Sequence, residues 1–170
     1  GSDIELLKFS TNLANKYGYQ GVNLNVGCPS KKVSQGRMGA CLMKEADIVR
    51  DCIKTMISES SSEVSVKCRI GVDEFESYNF FKEFISNVSD SGCNTFFVHA
   101  RKAFLKGLDP KKNRTLPPLK YDYVYRLKRE MPQLNIIING GIQTLEECHN
   151  QLKSVDGVMI GRSIQANPFF

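Results

Sequence analysis

Four short runs of alternating apolar residues each carry one isolated polar side chain near the C-terminal end, and this recurrence restricts the fold more than any other feature. The runs are Val22/Leu24/Val26 with Asn25, Val64/Val66 with Lys67, Phe96/Val98 with His99, and Ile136/Ile138 with Asn139. A fifth run, residues 158–160, is followed by Gly161-Arg162. Period-two alternation is that of a strand with one apolar face. Helical stripes separate the runs, so helix and strand alternate along the chain, as in a parallel sheet with right-handed crossovers. A parallel sheet buried on both faces would have almost wholly apolar strands. Here the polar residues lie opposite the apolar stripes and point to one common interior. Polar groups gathered at the C-terminal rim of parallel strands are what a (β/α)8 barrel needs for its active site, whereas an open doubly wound sheet concentrates its site at one switch point. The expected fold is therefore α/β, a TIM barrel. With about five parallel strands visible, the chain is expected to be the C-terminal part of the barrel, with about three units missing. Two sheet edges would then lie unpaired, a basis for self-association or for another covering chain.

The helices read as follows. Residues 4–17 carry Ile4, Leu7, Leu13, Ala14 and Tyr17 at helical spacing, with Asp3 as N-cap and Gly18 past the end. Residues 45–58 bury Ile48, Val49, Cys52, Ile53, Met56 and Ile57. Ser77 caps a helix whose stripe is Phe80, Phe81, Phe84, Ile85 and Val88. A further helix spans residues 122–130, and Thr144 with Glu147 forms a capping box that opens another, to about residue 152. Residues 100–120 break the rhythm, because Gly107, Pro110, Pro117 and Pro118 oppose regular structure. A loop of that length is usually functional.

At 170 residues the chain fits one domain, expected over residues 3–170 after a cloning remnant at residues 1–2. No apolar run nears the roughly 20 residues that span a bilayer, and no leader is visible. The expectation is a cytoplasmic protein, an organelle staying open because the native N-terminus is missing. Cys28, Cys41, Cys52, Cys68, Cys93 and Cys148 show no metal-binding spacing. Reduced thiols and no metal are expected. The net charge of +5 is too mild to identify a partner by itself.

The rim residues carry the chemistry. Asn139-Gly140-Gly141 and Gly161-Arg162 follow the last two strands, where barrels of this kind commonly bind phosphate on backbone N–H groups. A phosphate-bearing cofactor is the functional reading, and ordinary tight turns are the alternative. Lys67 within an apolar strand calls for an anionic partner, unless it snorkels from the strand end. His99, next to Arg101 and Lys102, is read as a cofactor contact rather than a core histidine. Cys28 sits on the turn Gly27-Cys28-Pro29-Ser30, directly after a strand. Thiols titrate at about 8.5, and no histidine is near in sequence, so a proton donor is a better reading than a nucleophile. Residues 101–120 hold Arg101, Lys102, Lys106, Lys111, Lys112, Arg114 and Lys120 against one acid, Asp109. Such a loop suits a phosphate backbone.

Together, NLNVGCPS at residues 23–30, VKCRIG at 66–71, HARKAFLKGL at 99–108, PKKNR at 110–114, INGGI at 138–142 and the final GR closely resemble the flavin-dependent tRNA-dihydrouridine synthases. The loop resembles their A branch, which modifies the D-loop. The resemblance covers nearly all of residues 4–170. It implies FMN held by Lys67, His99, Asn139, Gly140, Gly141, Gly161 and Arg162, with NADPH as reductant. It implies Cys28 as the proton donor, Asn25 on the target uridine, and Lys111 and Arg114 on the tRNA. It also implies that the first barrel strands and a C-terminal helical domain are absent from this chain. The alternatives are an FMN barrel acting on a free pyrimidine and a non-catalytic RNA-binding fragment.

Overall fold

The computed structural model describes residues 1–169, so Phe170, the end of the stretch matched by resemblance, lies outside the described residues. Strands β1 (Gly21–Val26), β2 (Glu63–Arg69), β3 (Thr95–His99), β4 (Asn135–Asn139) and β5 (Gly157–Met159) form one parallel sheet. Their order is sequential, β1-β2-β3-β4-β5. Among the described residues the strand order never reverses, so the sheet has no switch point. A sequential all-parallel sheet is the arrangement of a barrel segment.

The helices are α1 (Ile4–Lys16), α2 (Lys31–Gln35), α3 (Ala46–Glu59), α4 (Tyr78–Ser89), α5 (Tyr121–Glu130), α6 (Leu145–Leu152) and α7 (Arg162–Ala166). Their starts follow sequence chemistry. Asp3 accepts from the Leu6 N–H at 3.0 Å and Ser77 from the Phe80 N–H at 3.1 Å, satisfying free helix-end donors. Thr144 and Glu147 form the full capping box. α1 packs on α3, and α3 on α4, as one layer over the sheet.

Register explains what that layer covers. Leu24, Val66, Phe96 and Ile136 lie abreast, as do Val26, Cys68, Val98, Ile138 and Val158. These rows share one core with Val49, Ile53, Phe81, Phe84 and Ile85, and only Val158, at the edge, is partly exposed. The opposite face carries the polar side chains, with Phe97 and Ile137 among them in the row of Asn25 and Lys67. In its lowest row Asn23 donates to Ser65 at 3.0 Å, Asn135 to Thr95 at 3.4 Å, and Thr95 to Glu63. The row above pairs Asn25 with Lys67, and the uppermost aligns Arg69, His99, Asn139 and Met159.

Several expectations need correction. Residues 31–35 and 39–44, to which the sequence pattern assigns no element, form α2 and a 3-10 helix, and residues 162–166 form α7. The 100–120 loop contains a 3-10 turn at Lys112–Arg114 despite its prolines. The last strand is Gly157–Met159, one residue earlier than the apolar run suggests. Much of the α1 stripe is not buried. Ile4, Leu13 and Tyr17 are exposed, as are Leu6 and Phe9, and Thr11 is the buried residue. α1 packs chiefly on α3, along one side, so the apolar surface on its other side finds no partner among the described residues.

Burial thus divides the apolar residues into two classes with different energetics. Phe96→Ala, deleting a ring from the centre of the sheet, is expected to cost about 3–5 kcal/mol in urea unfolding. Leu6→Ala on the open face of α1 is expected to stay within about 0.5 kcal/mol of the parent.

Candidate active site

The C-terminal strand ends surround a cavity of about 750 Å³, within the roughly 300–1,000 Å³ of small-molecule sites. Of the eleven residues picked out from the sequence, ten line it: Asn25, Cys28, Lys67, His99, Arg114, Asn139, Gly140, Gly141, Gly161 and Arg162. Lys111 is not brought in with them. It is exposed and does not line the cavity, although its neighbours Pro110 and Arg114 do. Arg69, which the sequence reading passed over, also lines the cavity. Its signal was present, since it lies two residues beyond Lys67 on the same strand face.

The Cys28 thiol is placed by its turn. Asn25 Oδ1 accepts the N–H groups of Gly27 at 3.0 Å and Cys28 at 3.1 Å, and the Cys28 carbonyl accepts the Ala40 N–H at 2.8 Å. Gly39, at φ 73°, passes so close that a Cβ there would lie 2.4 Å from the Cys28 oxygen. Only glycine permits that approach. The oxygen of Asn25 is thereby committed to the turn, and its NH2 group is what it offers the cavity.

Arg69 ties three rim segments together. Its Nε donates to the Gly27 carbonyl at 3.0 Å, and its Nη1 donates to Lys102 at 3.0 Å and Asn113 at 2.9 Å. The residue is only 3% exposed, yet all three acceptors are main-chain carbonyls. Burial, together with nearby Arg101 and Arg114, lowers its pKa to about 10, which leaves it charged at neutrality. Asn113 is fully buried at the heart of the basic loop. Its Nδ2 donates to the carbonyls of Phe104, Leu108 and Asp109, and its Oδ1 accepts the Phe104 N–H at 2.8 Å.

The far wall is built on β4 and β5. Asn139 Oδ1 accepts from Lys67 Nζ at 3.4 Å while its Nδ2 donates to the Met159 carbonyl at 2.7 Å. Gly140, at φ 119°, lies against His99, and a Cβ there would sit 2.8 Å from the imidazole. The Tyr121 hydroxyl donates to the Gly140 carbonyl and fixes this ledge. Gly161 opens α7, and Arg162 reaches back to the Arg114 carbonyl at 3.5 Å.

Electrostatically the cavity is one-sided. Lys67, Arg69, Arg114 and Arg162 line it, and no carboxylate is among the described lining residues. Burial pushes the Lys67 ammonium below its ordinary pKa, and Arg69 adds to the effect. Burial and the charges of Arg69, Lys67, Arg101 and Arg162 drive His99 down to about 2, so its ring is neutral. Desolvation compounded by like charge is relieved by an anion. With no carboxylate nearby and a neutral imidazole, the site favours a thiol that gives a proton over a base-activated nucleophile. Among the described residues no cluster of His, Cys, Asp and Glu could hold a metal ion, and no helix is long and apolar enough to cross a membrane.

Known proteins resemble this chain at two levels. In sequence, the family model described as dihydrouridine synthase (Dus) matches residues 1–170. A tRNA-dihydrouridine(20/20a) synthase of Yersinia pestis is 53% identical over 169 residues, covering 99% of this chain and 49% of its own length. The enzyme of the same name from Pasteurella multocida is 52% identical over 168 residues, covering 99% and 51%. The chain therefore spans about half the length of the curated relatives it matches. Among solved structures, an aldolase named QR15 superposes with a TM-score of 0.64 at 14% identity, over 92% of this chain and 61% of that one. A putative lyase/mutase from Burkholderia cenocepacia gives 0.63 at 12% identity, over 99% and 54%. These distant likenesses speak for the fold alone, part of a (β/α)8 barrel.

The state of His99 has a consequence for stability. Folding holds the ring neutral, while the unfolded chain binds a proton near pH 6.5, so the unfolded state carries more protons between about pH 2 and 6.5. Stability present above pH 6.5 is lost as the pH falls below it. In urea unfolding of ligand-free protein, His99→Gln is expected to flatten the loss between pH 7 and pH 5, by up to about 1.4 kcal/mol per pH unit.

Proposed function

The chain belongs to the dihydrouridine synthase (Dus) family, and from that premise we propose that the protein carrying it reduces the C5–C6 bond of a D-loop uridine in tRNA, at positions 20 and 20a. The observation that carries this reading is a single cavity shared by a thiol, a lysine without a carboxylate partner, a neutral histidine and two glycine-bearing strand ends. The chain is read as the later part of the barrel. The earlier strands and a helical domain belong to the rest of the protein, and those strands cover the sheet edges left open by β1 and β5. The cytoplasm is the proposed compartment.

Dihydrouridine synthases are flavin-dependent, and the cavity fits an anionic flavin nucleotide. Its cations have no carboxylate partner among the described lining residues, and at the end of β5 a Cβ on Gly161 would meet nothing within 4 Å, so that strand end stands open to a ligand. Lys67, His99, Asn139, Gly140, Gly141, Gly161 and Arg162 would hold FMN. When bound and reduced by NADPH, FMN supplies a hydride for C6 of uracil. The protein supplies the rest. Cys28 gives its proton to C5, Asn25 offers its NH2 group to the base, and the neutral His99 ring leaves the hydride chemistry free of a competing acid. A stacked uridine cannot reach the strand ends, so it is flipped into the cavity. Lys111 and Arg114 take the phosphates beside it, Lys111 from outside the cavity lining.

Both tests of this reading use the full-length, flavin-loaded protein. Cys28→Ala is expected to lower dihydrouridine formation, measured by mass spectrometry of tRNA, by about 10²–10⁴-fold, the span of a general-acid contribution. Unchanged product would remove Cys28 from the chemistry. Replacing Lys111 and Arg114 by Gln is expected to weaken tRNA binding, and to reduce the slope of log K against log salt by about 1 for each phosphate no longer neutralised.

A further inference from the structure

The three hydrogen bonds of Arg69 all go to main-chain carbonyls, and they join two parts of the site that sequence keeps far apart. On one side the guanidinium grips the carbonyl of Gly27, the residue immediately before Cys28. On the other it grips the carbonyl of Asn113, the residue immediately before Arg114. Asn113 fixes the basic loop through an NH2 group whose two N–H bonds are shared among three carbonyls and an oxygen that accepts the Phe104 N–H, with no exposed surface. A buried cation costs free energy unless each donor is satisfied. An Arg whose Nε and Nη1 are taken by carbonyls from separate loops is therefore committed to their relative placement, and its planar guanidinium makes that placement rigid.

We propose that Arg69 is a positioning residue, and that the buried Arg69–Asn113 tie couples the RNA-facing loop to the placement of the Cys28 thiol. The proposal rests on the reading of Cys28 and Arg114 given above. A polyanion that settles the loop around Asn113 pulls on the same guanidinium that holds the Cys28 turn. Loosening the loop therefore changes the thiol's surroundings even when no RNA is present. Arg69→Lys would keep the charge but remove the fork, so it cannot hold both carbonyls in fixed geometry.

The test is a double-mutant cycle on Cys28 reactivity, run on the flavin-loaded full-length protein without RNA. The rate of Cys28 alkylation by iodoacetamide is followed by peptide mass spectrometry in the parent, Asn113→Ala, Arg69→Lys and the double variant. Asn113→Ala is expected to change the rate by at least about threefold in the parent background and to have little further effect in Arg69→Lys, the non-additivity of groups in one network. Equal rate changes in both backgrounds, or no change in either, would overturn the tie. Should Asn113→Ala fail to fold, Asn113→Ser keeps a hydroxyl in the loop core and is judged by the same criterion. On tRNA, Arg69→Lys is expected to lower kcat with KM little changed, whereas Arg114→Gln raises KM. A change confined to KM in Arg69→Lys would also overturn the proposal. The alkylation cycle needs no turnover, so it can fail while the functional reading stands. Conversely, a fully active Cys28→Ala would sink the functional reading and leave the cycle intact.

Discussion

Strand register governs almost everything else about this molecule. Because successive residues of a strand point to opposite faces, a slip of one residue would move every apolar side chain of that strand off the helices. The helices cover only the face carrying Leu24, Val66, Phe96 and Ile136. That burial fixes the phase of all five strands at once. The polar side chains then have no choice of direction. Asn25 falls beside Lys67, and Arg69, His99 and Asn139 fall in one row. The hydrophobic effect thus assembles a polar site as a by-product of burying its opposite face.

What the register assembles is electrostatically expensive without a ligand. Four cations share the cavity wall with a histidine that burial and the charges of Arg69, Lys67, Arg101 and Arg162 keep neutral. Lys67 finds only an amide oxygen, and Arg69 only carbonyls. Residues selected for stability alone would pair with carboxylates, as Lys128 does with Asp156 and Lys102 with Glu76 at the periphery. The difference between periphery and centre leaves the cavity with a net positive lining among the described residues, as the proposed function requires. Under the proposed function, the step asked of the protein is small by comparison: one proton from a thiol held just past the end of β1.

A further level of organisation comes from loops that exchange main-chain bonds. The turn after β2 meets the loop after β3 through Asp73, whose N–H donates to the Ala103 carbonyl and whose carboxylate accepts from Leu105 and pairs with Lys44. Arg69 and Asn113 carry the connection inward. None of these links follows a helix or strand period, and each depends on two distant segments meeting.

The alternation of helix and strand, the caps at Asp3, Ser77 and Thr144, and the set of polar strand-end residues that share one interior were all legible along the chain. They are written in local periodicity, spacing and side-chain chemistry, which a single strand or helix imposes without help from the rest. Other outcomes had to wait for the folded molecule: Arg114 lines the cavity while Lys111 does not, and α1 keeps an exposed apolar flank. Those depend on which surfaces find a neighbour. A lysine on a loop, or a leucine on a helix, carries no mark of what will be packed beside it until the whole chain has closed around the core.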